Sequence, residues 1–262
     1  MSVGQGRAKK SLGQHFLVDR SAIMRIATAL PEGANALEIG PGRGAITDAL
    51  LARAGRLTLI EKDDDLAAMW QQRAQDEARL TVMHGDVMAL LGPAVEQQHP
   101  AWIAGNLPYN ISGPLSAALF SLDLSGGLVL MYQREVADRI AADAGSKTYG
   151  GLSVLARHHY DVKRLLVLPP GAFSPPPKVH SAVLLLTPHG RAPSCSYEAL
   201  QRTVRQGFAH RRKTIANNFR GVVDAEGWTS LGIDAGDRPE RLDYAAWSRL
   251  AGLIDGLGQA EV

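Results

Sequence analysis

A chain of 262 residues is long for one ordinary domain and short for two, so one large domain with a small appendage is expected. Apolar residues make up 45%, ample for a core, and 28 Lys plus Arg stand against 26 Asp plus Glu. The net charge of +2 and pI near 8.7 therefore announce no nucleic-acid partner in bulk, and what matters is where the charges cluster. A single cysteine, Cys195, excludes a disulfide framework and a thiolate metal cage, and eight histidines lie scattered without ligand spacing, so no metal is expected. No run of eighteen apolar residues occurs, and residues 1–10 are too short and polar for a signal peptide; the expectation is a soluble cytoplasmic protein.

From the start of the chain, Arg7, Lys9 and Lys10 lead into Ser11-Leu12-Gly13-Gln14-His15-Phe16-Leu17. This is either a solvated tail or a flap over a site, and periodicity does not choose. Ile23, Ile26, Ala27 and Leu30 recur at helical spacing, and Pro31-Glu32-Gly33 ends that helix. Ala36-Leu37-Glu38-Ile39 reads as a strand running into Gly40-Pro41-Gly42-Arg43-Gly44, with a helix over 45–53 behind the turn. The next strand, Leu57-Thr58-Leu59-Ile60, ends in Glu61, where an acid takes ribose hydroxyls. Together these describe a site for a nucleoside-containing cofactor.

Dinucleotides use the same architecture, but a pyrophosphate wants backbone N–H groups at a helix start. Pro41 removes one N–H, and Glu38 puts a carboxylate beside the loop that suits the ammonium and sulfonium of S-adenosylmethionine and repels phosphate. The methyl donor is thus favoured over NAD. Leu80-Thr81-Val82-Met83 is a further strand with Asp86 just past its end, either a turn residue or an acceptor for the cofactor's adenine amine.

Trp102-Ile103-Ala104-Gly105 is a buried strand leading into Asn106-Leu107-Pro108-Tyr109-Asn110, the position where open α/β sheets bind ligands. An exocyclic adenine amine has its lone pair drawn into the ring, so an enzyme that alkylates it must hold both N–H groups with acceptors. Asn106 Oδ1 and the backbone carbonyl of Leu107 or Pro108 fit that need, Pro108 holds the short backbone open, and Tyr109 offers an aromatic face. The bland alternative is an ordinary turn.

Helices over 113–122, 133–142 and 152–160 and strands over 127–132, 162–168 and 181–187 complete the first part. The expected fold is an α/β, Rossmann-like, doubly wound and mostly parallel sheet with one antiparallel strand. The proline-rich segment 169–179 is either a stiff connector or a holder that sets Phe173 above the site, where stacking contributes roughly 1–3 kcal/mol per aromatic contact. A boundary near residue 188 separates domain 1–187 from a small all-α domain, 188–262, closed by an amphipathic helix over 244–257. In that second domain Arg211, Arg212 and Lys213, with Arg202, Arg205 and Arg220, form either a solvated helix face or a phosphate-contacting stripe.

The 105–110 stretch resembles the Asn-x-Pro-Tyr signature of S-adenosylmethionine-dependent adenine-N6 methyltransferases. With Leu12-Gly13-Gln14-His15-Phe16-Leu17, Glu38-Ile39-Gly40-Pro41-Gly42, Phe173-Ser174-Pro175-Pro176-Pro177-Lys178-Val179, Phe208-Ala209-His210-Arg211-Arg212-Lys213-Thr214 and Arg238-Pro239-Glu240-Arg241-Leu242, the order of motifs resembles the ribosomal RNA adenine dimethyltransferase family, in the type acting on small-subunit rRNA. The resemblance implies dimethylation of N6 on two adjacent adenosines in a hairpin loop near the 3′ end of that rRNA, a role in subunit biogenesis, and a monomer. It implies cofactor contacts at His15, Leu17, Gly40, Glu61, Asp86 and Asn106, catalytic positions at Asn106, Leu107, Pro108, Tyr109 and Phe173, and RNA contacts at Arg211, Arg212 and Lys213. Many relatives read Gln-Asn-Phe-Leu where this chain has Gln14-His15-Phe16-Leu17. The alternatives are a large-subunit rRNA adenine methyltransferase conferring antibiotic resistance, a DNA adenine methyltransferase, and an assembly factor whose catalysis is secondary.

Overall fold

The computed structural model describes residues 15–260, so the basic lead-in and residues 11–14 of the expected flap lie outside the described residues. Two short strands, β1 (Phe16–Leu17) and β8 (Phe173–Ser174), pair antiparallel with each other apart from the main sheet. That sheet contains β2 (Asn35–Ile39), β3 (Arg56–Glu61), β4 (Leu80–His84), β5 (Trp102–Asn106), β6 (Gly127–Gln133), β7 (Tyr160–Leu168) and β9 (Ser181–Pro188), in spatial order β4-β3-β2-β5-β6-β9-β7. The pairs β3–β4, β2–β3, β2–β5 and β5–β6 are parallel, and β9 runs antiparallel to β6 with Leu130 opposite Leu184. The strand order reverses direction between β2 and β5, which opens a crevice at their carboxyl ends.

The central strands are continuous apolar runs because helices cover both faces of a parallel sheet. Along β6 every residue but the last is buried. Helices α1 (Arg20–Ala27), α2 (Thr47–Leu51), α3 (Asp64–Ala74), α4 (Val87–Gln98), α5 (Ser112–Phe120), α6 (Arg134–Ile140) and α7 (Gly151–Ala156) follow in turn. Aspartates start three of them: Asp19, Asp63 and Asp86 each accept from backbone N–H groups in the first turn of α1, α3 and α4. No described helix is long and apolar enough to cross a membrane.

The approach of β5 to β2 explains the glycine before Asn106. A Cβ on Gly105 would lie 2.8 Å from the Ile39 carbonyl oxygen and 3.3 Å from Leu107 Cδ2. Gly105→Ala is therefore expected to destabilise the protein by about 1–3 kcal/mol through overpacking, read as a lower urea midpoint with an unchanged slope.

Two local expectations are corrected. The helix behind the glycine turn spans only Thr47–Leu51, not 45–53. The helix expected over 152–160 ends at Ala156, because the Arg157 guanidinium donates to the carbonyls of Ser153, Ile140 and Ala141 and ties the helix end to the preceding turn. His158 and His159 consequently lie in a turn, rings edge to face at 4.5 Å, and burial pulls the His158 imidazole down to about 4.

The chain forms two compact units. The first holds the residues up to Leu115 with Leu124–Ala137 and Lys163–Thr187; the second holds Ser116–Asp123, Asp138–Val162 and everything from Pro188. Besides everything from Pro188, the second unit takes in two segments that lie within the expected 1–187 domain. Hydrogen bonds draw them in: Tyr197 donates its hydroxyl to the Ala117 carbonyl at 2.6 Å, and Gly145 N–H donates to the Glu240 carbonyl at 2.6 Å. In this unit α8 (Tyr197–Gly207), α9 (Ile215–Asn218), α10 (Ala225–Leu231) and α11 (Tyr244–Ala260) pack around fully buried Trp247 and Phe219.

Candidate active site

A cleft lies at the carboxyl ends of β2 to β5, where open α/β sheets bind ligands. Its lining brings together His15, Leu17, Gly40, Glu61, Asp86 and Asn106 with Leu107, Pro108 and Tyr109. Ile39, Ile60 and Val87 add apolar walls, and Lys62 reaches the rim. Sequence reasoning passed over these four; Lys62 directly follows Glu61, and the three apolar residues looked like ordinary core.

The glycine loop enters the cleft as a braced turn. Gly40 N–H donates to the Ile60 carbonyl, Gly44 N–H to the Pro41 carbonyl, and Gly42 N–H to Glu61 Oε2 at 3.0 Å. Trp70 Nε1 donates to the Gly42 carbonyl at 2.9 Å, and Gly42 itself sits at φ 55° against the Phe16 ring. With these N–H groups already engaged and Pro41 lacking one, the loop has little to offer a pyrophosphate. Glu61 Oε1 accepts from the N–H groups of Lys62 and Asp63, both at 2.9 Å. Three of about four acceptor positions on that carboxylate are filled, leaving one for a hydroxyl.

Asp86 caps α4 and lines the cleft. Its Oδ1 accepts from Met88 N–H at 2.8 Å as the cap of α4, and its Oδ2 meets Lys62 Nζ at 2.8 Å. The Lys62 ammonium and the Met88 amide hold its carboxyl below the usual range, so it faces the cleft as an anion.

Asn106 closes the other side. Its Nδ2 donates to the His15 carbonyl at 3.0 Å, which fixes the amide orientation because a carbonyl only accepts. Its Oδ1 is then buried without a hydrogen-bond partner among the described residues. An unpaired buried acceptor costs about 1–3 kcal/mol unless something arrives to donate to it. The Pro108 carbonyl is engaged by Ile111 N–H at 3.3 Å, whereas that of Leu107 accepts none among the described residues. Leu107 N–H donates to the Met131 carbonyl at 3.1 Å, so β6 holds the stretch in place. Tyr109 bonds through its hydroxyl to Ser181 Oγ at 3.0 Å and stacks near His15, ring centroids 6.0 Å apart and 27° from parallel. Burial raises its phenol pKa, the Ser181 bond opposing, so the hydroxyl stays neutral. His15 is held in turn by its Nδ1, which donates to the Pro175 carbonyl at 2.9 Å.

Three expectations change. Phe173 does not line the cleft: it is 3% exposed, packed in the core with Leu17, Leu168 and Ala172, because β8 pairs with β1 and turns its ring inward. Glu38 does not line it either. Its side chain is fully buried, with both oxygens unpartnered among the described residues, and burial pushes the carboxyl up to about 8; the nearby Thr47 hydroxyl, outside hydrogen-bond geometry, opposes this only in part, and Glu61 and Asp48 reinforce it. Glu38 is thus a neutral acid at pH 7, and the case against a dinucleotide rests on the engaged loop amides instead. Arg211, Arg212 and Lys213 lie in the second unit, in the turn after α8, not along a helix face.

The Glu38 shift has a stability consequence. Between pH 4.5 and 8 the folded protein keeps a proton that the unfolded chain releases, so stability falls as pH rises, by about 1.4 kcal/mol per pH unit at most. Glu38→Gln is expected to flatten that dependence and to be the more stable form at pH 8, as measured by denaturant midpoints at pH 5 and pH 8.

The sheet order, with β9 antiparallel to β6, and a cleft with acids after β3 and β4 and, after β5, an amide oxygen unpaired among the described residues define a Rossmann-like methyltransferase that uses S-adenosylmethionine. A family model for ribosomal RNA adenine dimethylase matches residues 5–255, and the chain belongs to that family. A "Ribosomal RNA small subunit methyltransferase A" of Xanthomonas campestris pv. campestris is 45% identical over 252 residues, covering 93% of this chain and 95% of that one. A protein of the same name from Pseudomonas putida is 39% identical over 265 residues, covering 98% of each. Among solved structures, a dimethyladenosine transferase from Plasmodium falciparum shares the fold at TM-score 0.74 and 23% identity, over 95% of this chain and 99% of that one.

Proposed function

We propose that this protein is the small-subunit rRNA adenine N6,N6-dimethyltransferase of its cell, acting as a monomer on two adjacent adenosines in the hairpin loop near the rRNA's 3′ end and contributing to subunit maturation in the cytoplasm. The observation that carries the reading is Asn106 Oδ1, a buried acceptor without a partner among the described residues, next to the Leu107 carbonyl and the Tyr109 ring. An amine with two N–H groups on a flat ring supplies what those three lack. The relatives named for the small subunit, at 39% and 45% identity over nearly the whole chain, support that rRNA over the large-subunit alternative.

S-adenosylmethionine, when bound, supplies an electrophilic methyl group on a sulfonium. The residues present fit it: Glu61 retains an acceptor position that would take a ribose hydroxyl, anionic Asp86 would accept from an adenine amine, and Ile39, Ile60 and Val87 would form apolar walls for a ring. Asn106 Oδ1 and the Leu107 carbonyl accept the two N–H bonds of the target amine. This turns the nitrogen lone pair out of conjugation and aims it. Tyr109 sets the ring plane. Fixed alignment of this kind supplies most of the acceleration, and the chain's groups need form no covalent bond. A looped-out base suits the site because it costs less to extrude than a paired one.

The test is mass mapping of rRNA from cells lacking the protein. Loss of dimethyladenosine from the 3′ hairpin of small-subunit rRNA is expected, with restoration by the wild-type gene. Loss confined to a large-subunit adenosine would overturn the assignment. Full subunit maturation by a catalytically dead Asn106→Ala variant would favour the assembly-factor role. In the second unit, the cluster around Arg212 and Lys213 is the rRNA-binding surface.

A further inference from the structure

The basic cluster was read as three equivalent phosphate contacts, but its members are differently placed. Arg211 donates through a terminal guanidinium nitrogen to the Lys147 carbonyl at 2.6 Å, and its Nε lies 3.8 Å from Glu240 Oε2. Gly145 N–H donates to the Glu240 backbone carbonyl at 2.6 Å. Arg211 thus sits where three segments distant in sequence meet: the 143–150 loop, the turn after α8, and the 238–241 turn. The loop is fastened at both ends as well. Asp143 pairs with Arg157 at 3.0 Å, and buried Tyr149 packs against Phe208, ring centroids 6.3 Å apart.

Lys147, Arg212 and Lys213 are exposed, and none of the three makes a side-chain hydrogen bond or ion pair among the described residues. The bond from Arg211 to its carbonyl brings Lys147 beside the cluster. The Arg211 guanidinium is tied by a hydrogen bond to the Lys147 carbonyl, whereas the head groups of Lys147, Arg212 and Lys213 make no bond among the described residues and are open to phosphate.

We infer that Arg211 is a positioning residue that fastens the 143–150 loop against the turn after α8, and that the phosphate-contacting face of the second unit consists of Lys147, Arg212 and Lys213. This rests on the reading that this unit binds rRNA, and it replaces one member of the expected triplet with a lysine 64 residues earlier in the chain. It also gives a structural task to the Arg238-Pro239-Glu240-Arg241-Leu242 stretch, whose Glu240 supplies both the carbonyl for Gly145 and the carboxylate near Arg211.

The experiment measures binding of full-length protein to undermodified small subunits over a range of salt, together with amide hydrogen exchange of residues 143–150. Lys147→Ala, Arg212→Ala and Lys213→Ala are each expected to lower the log–log salt slope by roughly 0.7–0.9, the share of one phosphate, with exchange in the loop unchanged. Arg211→Ala is expected to raise exchange of the loop by tenfold or more. Exchange of the loop left unchanged in Arg211→Ala would overturn the inference. An unchanged slope in Lys147→Ala with flattened slopes in the other two overturns the inference but spares the rRNA-binding reading. Unchanged slopes in all three overturn both.

Discussion

Asn106→Ala is expected to lower kcat for methyl transfer to undermodified small subunits by on the order of 10²-fold, the scale set by removing one preorganised hydrogen-bonding group from a charge-developing centre. Alanine removes two things: the unpaired Oδ1 that accepts from the target amine, and the Nδ2 bond to the His15 carbonyl. Asn106→Asp separates them, because a carboxylate still accepts from the amine but repels the His15 carbonyl. If the acceptor is what matters, the aspartate variant retains more activity than the alanine variant. Equal losses would assign the residue to anchoring His15 and remove it from the reacting amine. Donor affinity measured calorimetrically on each variant keeps the binding and chemical contributions apart.

Tyr109 gives the second large effect. Its hydroxyl is occupied with Ser181, and its ring lies along the cleft, so the structure gives the two parts of the side chain different work. Tyr109→Ala removes a stacking face worth roughly 1–3 kcal/mol, equivalent to about 5- to 150-fold in kcat/KM. Tyr109→Phe keeps the ring and loses one hydrogen bond, about 1 kcal/mol or a few-fold. A phenylalanine variant as impaired as the alanine variant would place the hydroxyl, not the ring, at the centre of the chemistry. No second aromatic from the proline-rich segment is expected to compensate, because Phe173 is committed to the core.

How much of this was readable without coordinates varies with the distance over which each feature is decided. The runs at 36–39, 57–60, 80–83 and 102–105 become β2 to β5 within one or two residues, since short, mostly apolar runs bounded by turn residues are a local signal of strands. The glycine turn and the acids following it were likewise legible, because the end of each strand is where a parallel sheet exposes backbone and side chains to a ligand. Helix ends were less so: α7 stops at Ala156 because Arg157 reaches back to carbonyls 16 and 17 residues earlier, which no window of local propensity contains.

By itself, then, the order of residues determined the sheet, the cleft, and the identity of the side chains at its mouth, because all of these follow from short-range patterning. Tertiary structure alone decided which of the candidates face the ligand and which are spent elsewhere. Phe173 is drawn into the core by pairing with Leu17, 156 residues away, Glu38 is sealed as a neutral acid under the loop, and Arg211 is tied to the Lys147 carbonyl. The physical reason is common to the three: a strand partner, a dielectric environment and a hydrogen-bond acceptor are supplied by distant parts of the chain, and residue type does not record them.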